Sequence, residues 1–204
     1  MRHFLILLIT FIFLTLFICG CVKKKEEIIM PEVSGKKIAM ILASHDFRDE
    51  EYFDSREVFE KNGIEVFTSS SSLEIRSVFG KNMKVDFVID KVDVKEFDGI
   101  VFVGGPGATE YQEDSRAHII AQEAIKNEKV LGAICIAPTI LAKAGVLKGK
   151  NVTVWKSAQT LEILKEGEAN FLNKDVVVDG KIVTANGPKA AKGFAQEIVK
   201  LLSD

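Results

Sequence analysis

Residues 129–144 read KVLGAICIAPTILAKA. Lys129 to Cys135 is almost wholly apolar over the length of one strand, as expected for a strand buried on both faces. From Pro138 to Ala144 the pattern becomes helical, with proline at a first-turn position where its missing N–H costs nothing. A buried strand turning so sharply into a helix is half of a βαβ unit, and similar units flank it. Upstream, residues 37–43 form another buried run, followed by a helical stretch over 50–62 that stops at Gly63, where a left-handed residue is natural. Strands are expected at 64–68 and 99–103, the second running into Gly104-Gly105-Pro106-Gly107. Residues 83–89 read as an edge strand, because charges alternate through them. The helix over 115–127 carries Ala117, Ile120, Ala121, Ala124 and Ile125 on one face. Downstream come a strand at 152–155, a helix at 158–165 and a hairpin at 176–184 with a positive φ supplied by Asp179-Gly180. A last helix places Ala191, Phe194, Ile198, Leu201 and Leu202 together. This alternation predicts an α/β domain with a doubly wound, mostly parallel sheet sandwiched by helices, and ligands at the carboxyl ends of its strands.

The chain has 204 residues and is 47% hydrophobic, but the apolar residues are unevenly spread. Phe4 to Val22 form nineteen consecutive residues without a charge. As a helix they would span about 28 Å, close to the hydrocarbon thickness of a bilayer. Three readings fit: a transmembrane anchor, a signal peptide, or a lipoprotein leader in which Ile18-Cys19-Gly20-Cys21 offers Cys21 for lipidation. All three lead to a membrane. Arg2 before the segment and Lys23, Lys24 and Lys25 after it leave the side of the membrane open. The expected organisation is a leader over 1–22, a charged, proline- and glycine-punctuated linker over 23–35, and one domain over 36–204. Losing Arg2 with the leader leaves 26 basic against 29 acidic residues. That balance excludes a strongly basic nucleic-acid binder, and the composition excludes a multi-pass membrane protein or a disulfide framework.

Cys135 is the only cysteine outside the leader. A thiol at a strand-to-helix turn faces a helix N-terminus, which favours the thiolate and predicts a lowered pKa. The amide of Ile136, with that of Gly105, is placed to receive an oxyanion. The Gly104–Gly107 turn is no P-loop, since no Gly-Lys-Ser/Thr follows. A Gly-x-Gly-x-x-Gly fingerprint fails at Glu110. No histidine, cysteine and carboxylate grouping has metal-ligand spacing, so neither a metal nor a cofactor is expected.

Together, the first strand with its acidic turn, FDGIVFVGGPG (97–107), AICIAPTILAKAGVLKG (133–149) and VVVDGKIVTANGP (176–188) resemble the DJ-1/PfpI superfamily. The resemblance covers essentially all of 36–203. It implies a flavodoxin-like sandwich, a homodimer or higher homo-oligomer, and a reactive cysteine at a nucleophile elbow, matched by Cys135. It also implies a glutamate hydrogen-bonded to that cysteine, twelve residues before the glycine that ends the first helix. Glu51 stands twelve before Gly63, with Glu50 as the neighbouring register. The activity implied is that of a cysteine-dependent hydrolase or a glyoxalase- or deglycase-like lyase, with a small carbonyl compound or a peptide as substrate. The alternatives are a redox or stress sensor using the same cysteine, or a tethered binding module. Three positions depart from the family pattern. Ile136 replaces the histidine that follows the cysteine in protease-like members, which counts against peptide hydrolysis. Trp155 stands where other members have histidine or tyrosine, and Val103 replaces a proline. His45, in the loop after the first strand, is a candidate auxiliary group with Trp155, whereas His118 reads as a solvated surface residue.

Overall fold

The structure, a computed structural model, describes residues 33–204. The leader over 1–22, with Cys21, and most of the expected linker lie outside the described residues. Among those described, no helix is long and apolar enough to cross a membrane. The last linker residues already belong to the domain: Val33 is 6% exposed within the core, and its amide donates to the Asn62 carbonyl (3.1 Å).

The chain begins with β1 (Lys37–Ile41), a short β2 (His45–Phe47) and α1 (Asp49–Lys61). Next come β3 (Glu65–Ser70), β4 (Glu74–Ser77), β5 (Asn82–Lys84), β6 (Phe87–Val88) and β7 (Gly99–Phe102). A 3₁₀ turn over Pro106–Tyr111 leads to α2 (Ser115–Lys126), β8 (Val130–Ile134) and α3 (Pro138–Lys143). The C-terminal part adds β9 (Asn151–Val152), α4 (Ala158–Glu166), β10 (Asn170–Phe171), β11 (Val176–Asp179), β12 (Ile182–Ala185) and α5 (Ala191–Ser203).

The main sheet has seven strands in the order β11-β12-β8-β7-β1-β3-β6, and every pairing is parallel except β11 with β12. β1, β7 and β8 are the apolar runs of the sequence. Alternate residues of these strands feed two cores, as a period of two requires. Ala39, Ile41, Ile100, Phe102 and Leu131 pack on the face covered by α2, α3 and α4. Ile38, Met40, Val101, Val130 and Ile134 pack on the face covered by α1 and α5. This is the doubly wound sandwich expected, with a topology that brings the carboxyl ends of β1, β7 and β8 side by side.

Three local expectations are corrected. The run 83–89 is not one edge strand. Its first residues join β2 and β4 in a separate three-stranded sheet, and only Phe87–Val88 edges the main one. The break is at Val85-Asp86, where the Asp86 carboxylate accepts from the Thr68 amide (2.7 Å) and hydroxyl (2.8 Å). The strand expected over 152–155 stops at Val152 and pairs with β10. In the hairpin Asp179 pairs with Ile182, so the turn is Gly180-Lys181, with positive φ (60°) at Gly180. Asp179 instead binds the Lys150 ammonium (3.1 Å) and the Asn151 amide (2.9 Å).

Candidate active site

Cys135 follows the last residue of β8 and is the turn into α3. Its φ is 64°, a left-handed conformation that a non-glycine residue adopts only when its surroundings enforce it. The enforcement is visible. The Cys135 amide donates to the Ala185 carbonyl at the end of β12 (2.8 Å), and its carbonyl accepts from the Trp155 amide (2.7 Å). The side chain is 8% exposed.

Glu51 arrives from the first turn of α1, beside Asp49 and Glu50. Successive helical residues point about 100° apart, so the three acids do different things. Asp49 accepts from the Phe79 amide (3.1 Å), and Glu50 takes Arg48 in a two-point ion pair (2.8 and 3.1 Å). Glu51 is 0% exposed and turns inward toward Cys135. The register therefore falls on Glu51, not Glu50.

Gly104 makes the approach sterically feasible. A Cβ there would lie 2.5 Å from the Cys135 Cβ, 2.5 Å from Glu51 Oε2 and 2.6 Å from the Ile134 carbonyl. The Gly104 carbonyl accepts from the Arg48 amide (3.0 Å), tying the glycine turn to the start of α1. Gly105 has φ 103°, and its amide, with that of Ile136, is directed at the Cys135 sulfur. Two backbone donors thus converge beside the thiol, where an oxyanion hole would be.

Burial raises the Glu51 pKa from 4.5 to about 7. The Cys135 thiol, the Gly104 amide and the Arg48 charge oppose the rise. Neither carboxyl oxygen has a well-formed hydrogen bond, so the opposition is incomplete. Burial also pushes the Cys135 thiol up to about 12, and the charge of Glu51 adds to it, while the Gly105 and Ile136 amides favour the thiolate. The lowered thiol pKa expected from the strand-to-helix turn is therefore overturned, because desolvation and a neighbouring carboxylate outweigh the amides. Between about pH 7 and about 12 the coupled pair holds one proton, with the Glu51 carboxyl placed to take it from the sulfur.

The pair opens into a cavity of about 290 Å³ walled by Arg48, Pro106, Ile136, Trp155 and Pro188. Trp155 is 52% exposed and stands at the mouth. His45 does not join this site. It pairs with Arg76 in the small sheet and lines a separate cavity with Glu74 and Asn82, because the chain turns outward at Asp46 (φ 56°). His118 is half-buried, with Nε2 2.8 Å from the Gln112 carbonyl. Reading the residues alone missed Arg48, Gly104 and Pro188. Gly104 and Pro188 lie inside strings that carried the family resemblance, while Arg48 lacked any signal beyond its charge.

The chain is similar to known proteins over most of the described domain. The family model described as the DJ-1/PfpI family matches residues 36–201. A protein of Methanocaldococcus jannaschii is 35% identical over 204 residues, 99% of this chain and 98% of its own. A deglycase of Thermococcus kodakarensis is 31% identical over 164 residues, covering 80% of this chain and 98% of its own. The crystal structure of a ThiJ/PfpI domain protein from Brachyspira murdochii superposes with a TM-score of 0.78 at 34% identity, covering 83% of this chain and 98% of that one.

Proposed function

The chain belongs to the DJ-1/PfpI family, and on that premise we propose that it is a cysteine-dependent enzyme of deglycase or glyoxalase type, acting on small α-oxoaldehydes or their adducts. The observation that carries the reading is the buried Glu51 carboxyl against the Cys135 thiol, with a pKa raised to about 7. A carboxylate tuned to neutrality is the base that proton transfer at that pH needs.

In the first step the Cys135 sulfur attacks the aldehyde carbon. The thiol proton passes to the Glu51 carboxylate as the sulfur–carbon bond forms, and the carbonyl pair moves to oxygen, held by the Gly105 and Ile136 amides. Glu51 returns the proton to that oxygen, giving a hemithioacetal. The restored carboxylate then removes the hydrogen on the hemithioacetal carbon as a proton, leaving an enediolate, and delivers it to the neighbouring carbon, while the hydroxyl proton of the hemithioacetal passes to that neighbour's oxygen and the first carbon becomes the carbonyl. One carbon is oxidised and the next reduced, and a thioester results. Water cleaves the thioester to a 2-hydroxy acid and frees the thiol. Peptide hydrolysis fits less well, because Ile136 cannot protonate a leaving amine. A redox-sensing role for Cys135 needs a thiolate at neutral pH, and the raised thiol pKa weighs against it.

The test is lactate formation from methylglyoxal. Cys135→Ser is expected to abolish it, and Glu51→Gln to lower kcat by about 10²-fold or more. Turnover that survives in Cys135→Ser overturns the assignment. The proposal extends to attachment of the domain to a membrane through residues 1–22, and to a homo-oligomeric assembly.

A further inference from the structure

A second cavity, of about 600 Å³, adjoins the one that holds Cys135. Arg48, Trp155 and Pro188 line both, so the two cavities meet at these three residues. The wider part is bounded by the segment after Trp155 and by the Asn186–Lys189 turn that follows β12. Both segments are pinned to the elbow: Trp155 through the hydrogen bond its amide donates to the Cys135 carbonyl, and the turn through the Ala185 carbonyl, which accepts from the Cys135 amide.

Its charges are not balanced. Two acids face it, and each already has a donor: Glu50 holds Arg48 (2.8 Å), and Asp175 accepts from the Asn186 side-chain amide (2.9 Å). Arg48 is further fixed by stacking on Phe79 (5.0 Å). Lys156 and Lys189 also line the cavity, and among the described residues neither has an ion-pair partner. An amide donor leaves the charge of Asp175 in place, so three cations face two anions and one positive charge, carried by Lys156 and Lys189 against Asp175, is in excess beside the reactive thiol.

We infer that this wider cavity binds a carboxylate or phosphate carried by the substrate, so that the preferred substrates are anionic carbonyl adducts rather than neutral oxoaldehydes. The inference rests on the enzyme reading above and names the substrate class for that site. Lys156 and Lys189 supply the charge, while Trp155, which is exposed and apolar, covers the atoms between the anion and the carbonyl. These lysines set specificity, whereas Cys135 and Glu51 perform the reaction.

The experiment compares two substrates that differ in one charge: the methylglyoxal hemithioacetals of N-acetylcysteine and of N-acetylcysteine amide. The full-length protein is expected to favour the acid in kcat/KM by about five-fold or more, the size of one or two partly exposed ion contacts. The preference should shrink at high salt and fall toward one in Lys156→Gln/Lys189→Gln. It should be kept in Lys156→Arg/Lys189→Arg. Turnover of both substrates without preference overturns the inference and leaves the enzyme reading standing. Turnover of neither overturns the enzyme reading, and a binding measurement then decides the inference alone. Trp155 is the only tryptophan of the chain, so its fluorescence reports occupancy of the cleft. Cys135→Ser is titrated with the stable ketones S-acetonyl-N-acetylcysteine and its amide. Tighter, salt-sensitive binding of the acid supports the anion site, whereas equal binding, or none, overturns it.

Discussion

Glu51 is held at a cost that varies with pH. In the unfolded chain its carboxyl ionises near 4.5, and in the folded protein near 7. Between those values the unfolded state has lost a proton that the folded state keeps, so stability falls as pH rises. The contribution is fully present below about 4.5 and gone above about 7, a difference on the order of 3 kcal/mol. Glu51→Gln keeps the shape without the charge. It is expected to match the parent in urea melts at pH 4.5 and to exceed it in stability at pH 8. Equal stability at both values would show that the carboxyl is not buried as described. The same ionisation governs catalysis with the opposite sign, because the carboxylate is the base: kcat/KM for methylglyoxal should rise with pH and level off above about 7. Cys135 was legible in the sequence because it stands alone outside the leader and at a strand-to-helix turn. Glu51 was not legible from composition, since Asp46, Asp49, Glu50 and Glu51 look alike. What separates the three helical acids is direction on α1, and only the family resemblance, carried over by the twelve-residue spacing to Gly63, pointed to Glu51.

The elements meet at the glycine turn after β7. Spacing could rule out phosphate-binding motifs there, but it could not reveal what the glycines admit. Gly104→Ala forces a methyl group between the Cys135 Cβ, Glu51 Oε2 and the Ile134 carbonyl, all within 2.6 Å. Overpacking of this kind costs about 1–3 kcal/mol. Because the softest neighbour is the Glu51 side chain, the expected outcome is loss of proton transfer. The variant should still fold, judged by its far-ultraviolet circular dichroism, while kcat drops by about 10²-fold or more. Retained activity would mean that Glu51 need not lie against the thiol. The misread elements share a cause with this turn, since non-local backbone bonds decide them. The strand expected to run to Trp155 ends early because Thr153 donates to the Thr184 hydroxyl (2.9 Å) and Trp155 to the Cys135 carbonyl (2.7 Å). β2 and β4 escaped notice because they are only three and four residues long and half or more exposed. A period of two leaves little trace over so few positions.

At the scale of the molecule the alternation of buried runs and amphipathic helices carried the architecture, because a strand covered on both faces has few sequences open to it. The boundary of the domain was less legible. A charged stretch with a proline and a glycine reads as linker up to Gly35, yet Val33 belongs to the core that holds Phe59 and Ile64, and its amide donates to the Asn62 carbonyl. Burying a valine contributes about 1.5–3 kcal/mol. The described residues 33–204 build both cores on either side of the sheet, and a chain beginning at Val33 is expected to fold and to keep its activity. One beginning at Lys37 should fold too but melt at lower urea, with an unchanged slope, as loss of a few contacts requires. Equal midpoints would show that Val33 adds nothing. The same pair, set beside the full chain in a cell fractionation, tests the proposed attachment. The full chain should sediment with membranes and both shortened chains should stay in the supernatant, whereas a full chain in the supernatant would remove the membrane from the proposed function and leave the Cys135–Glu51 chemistry untouched.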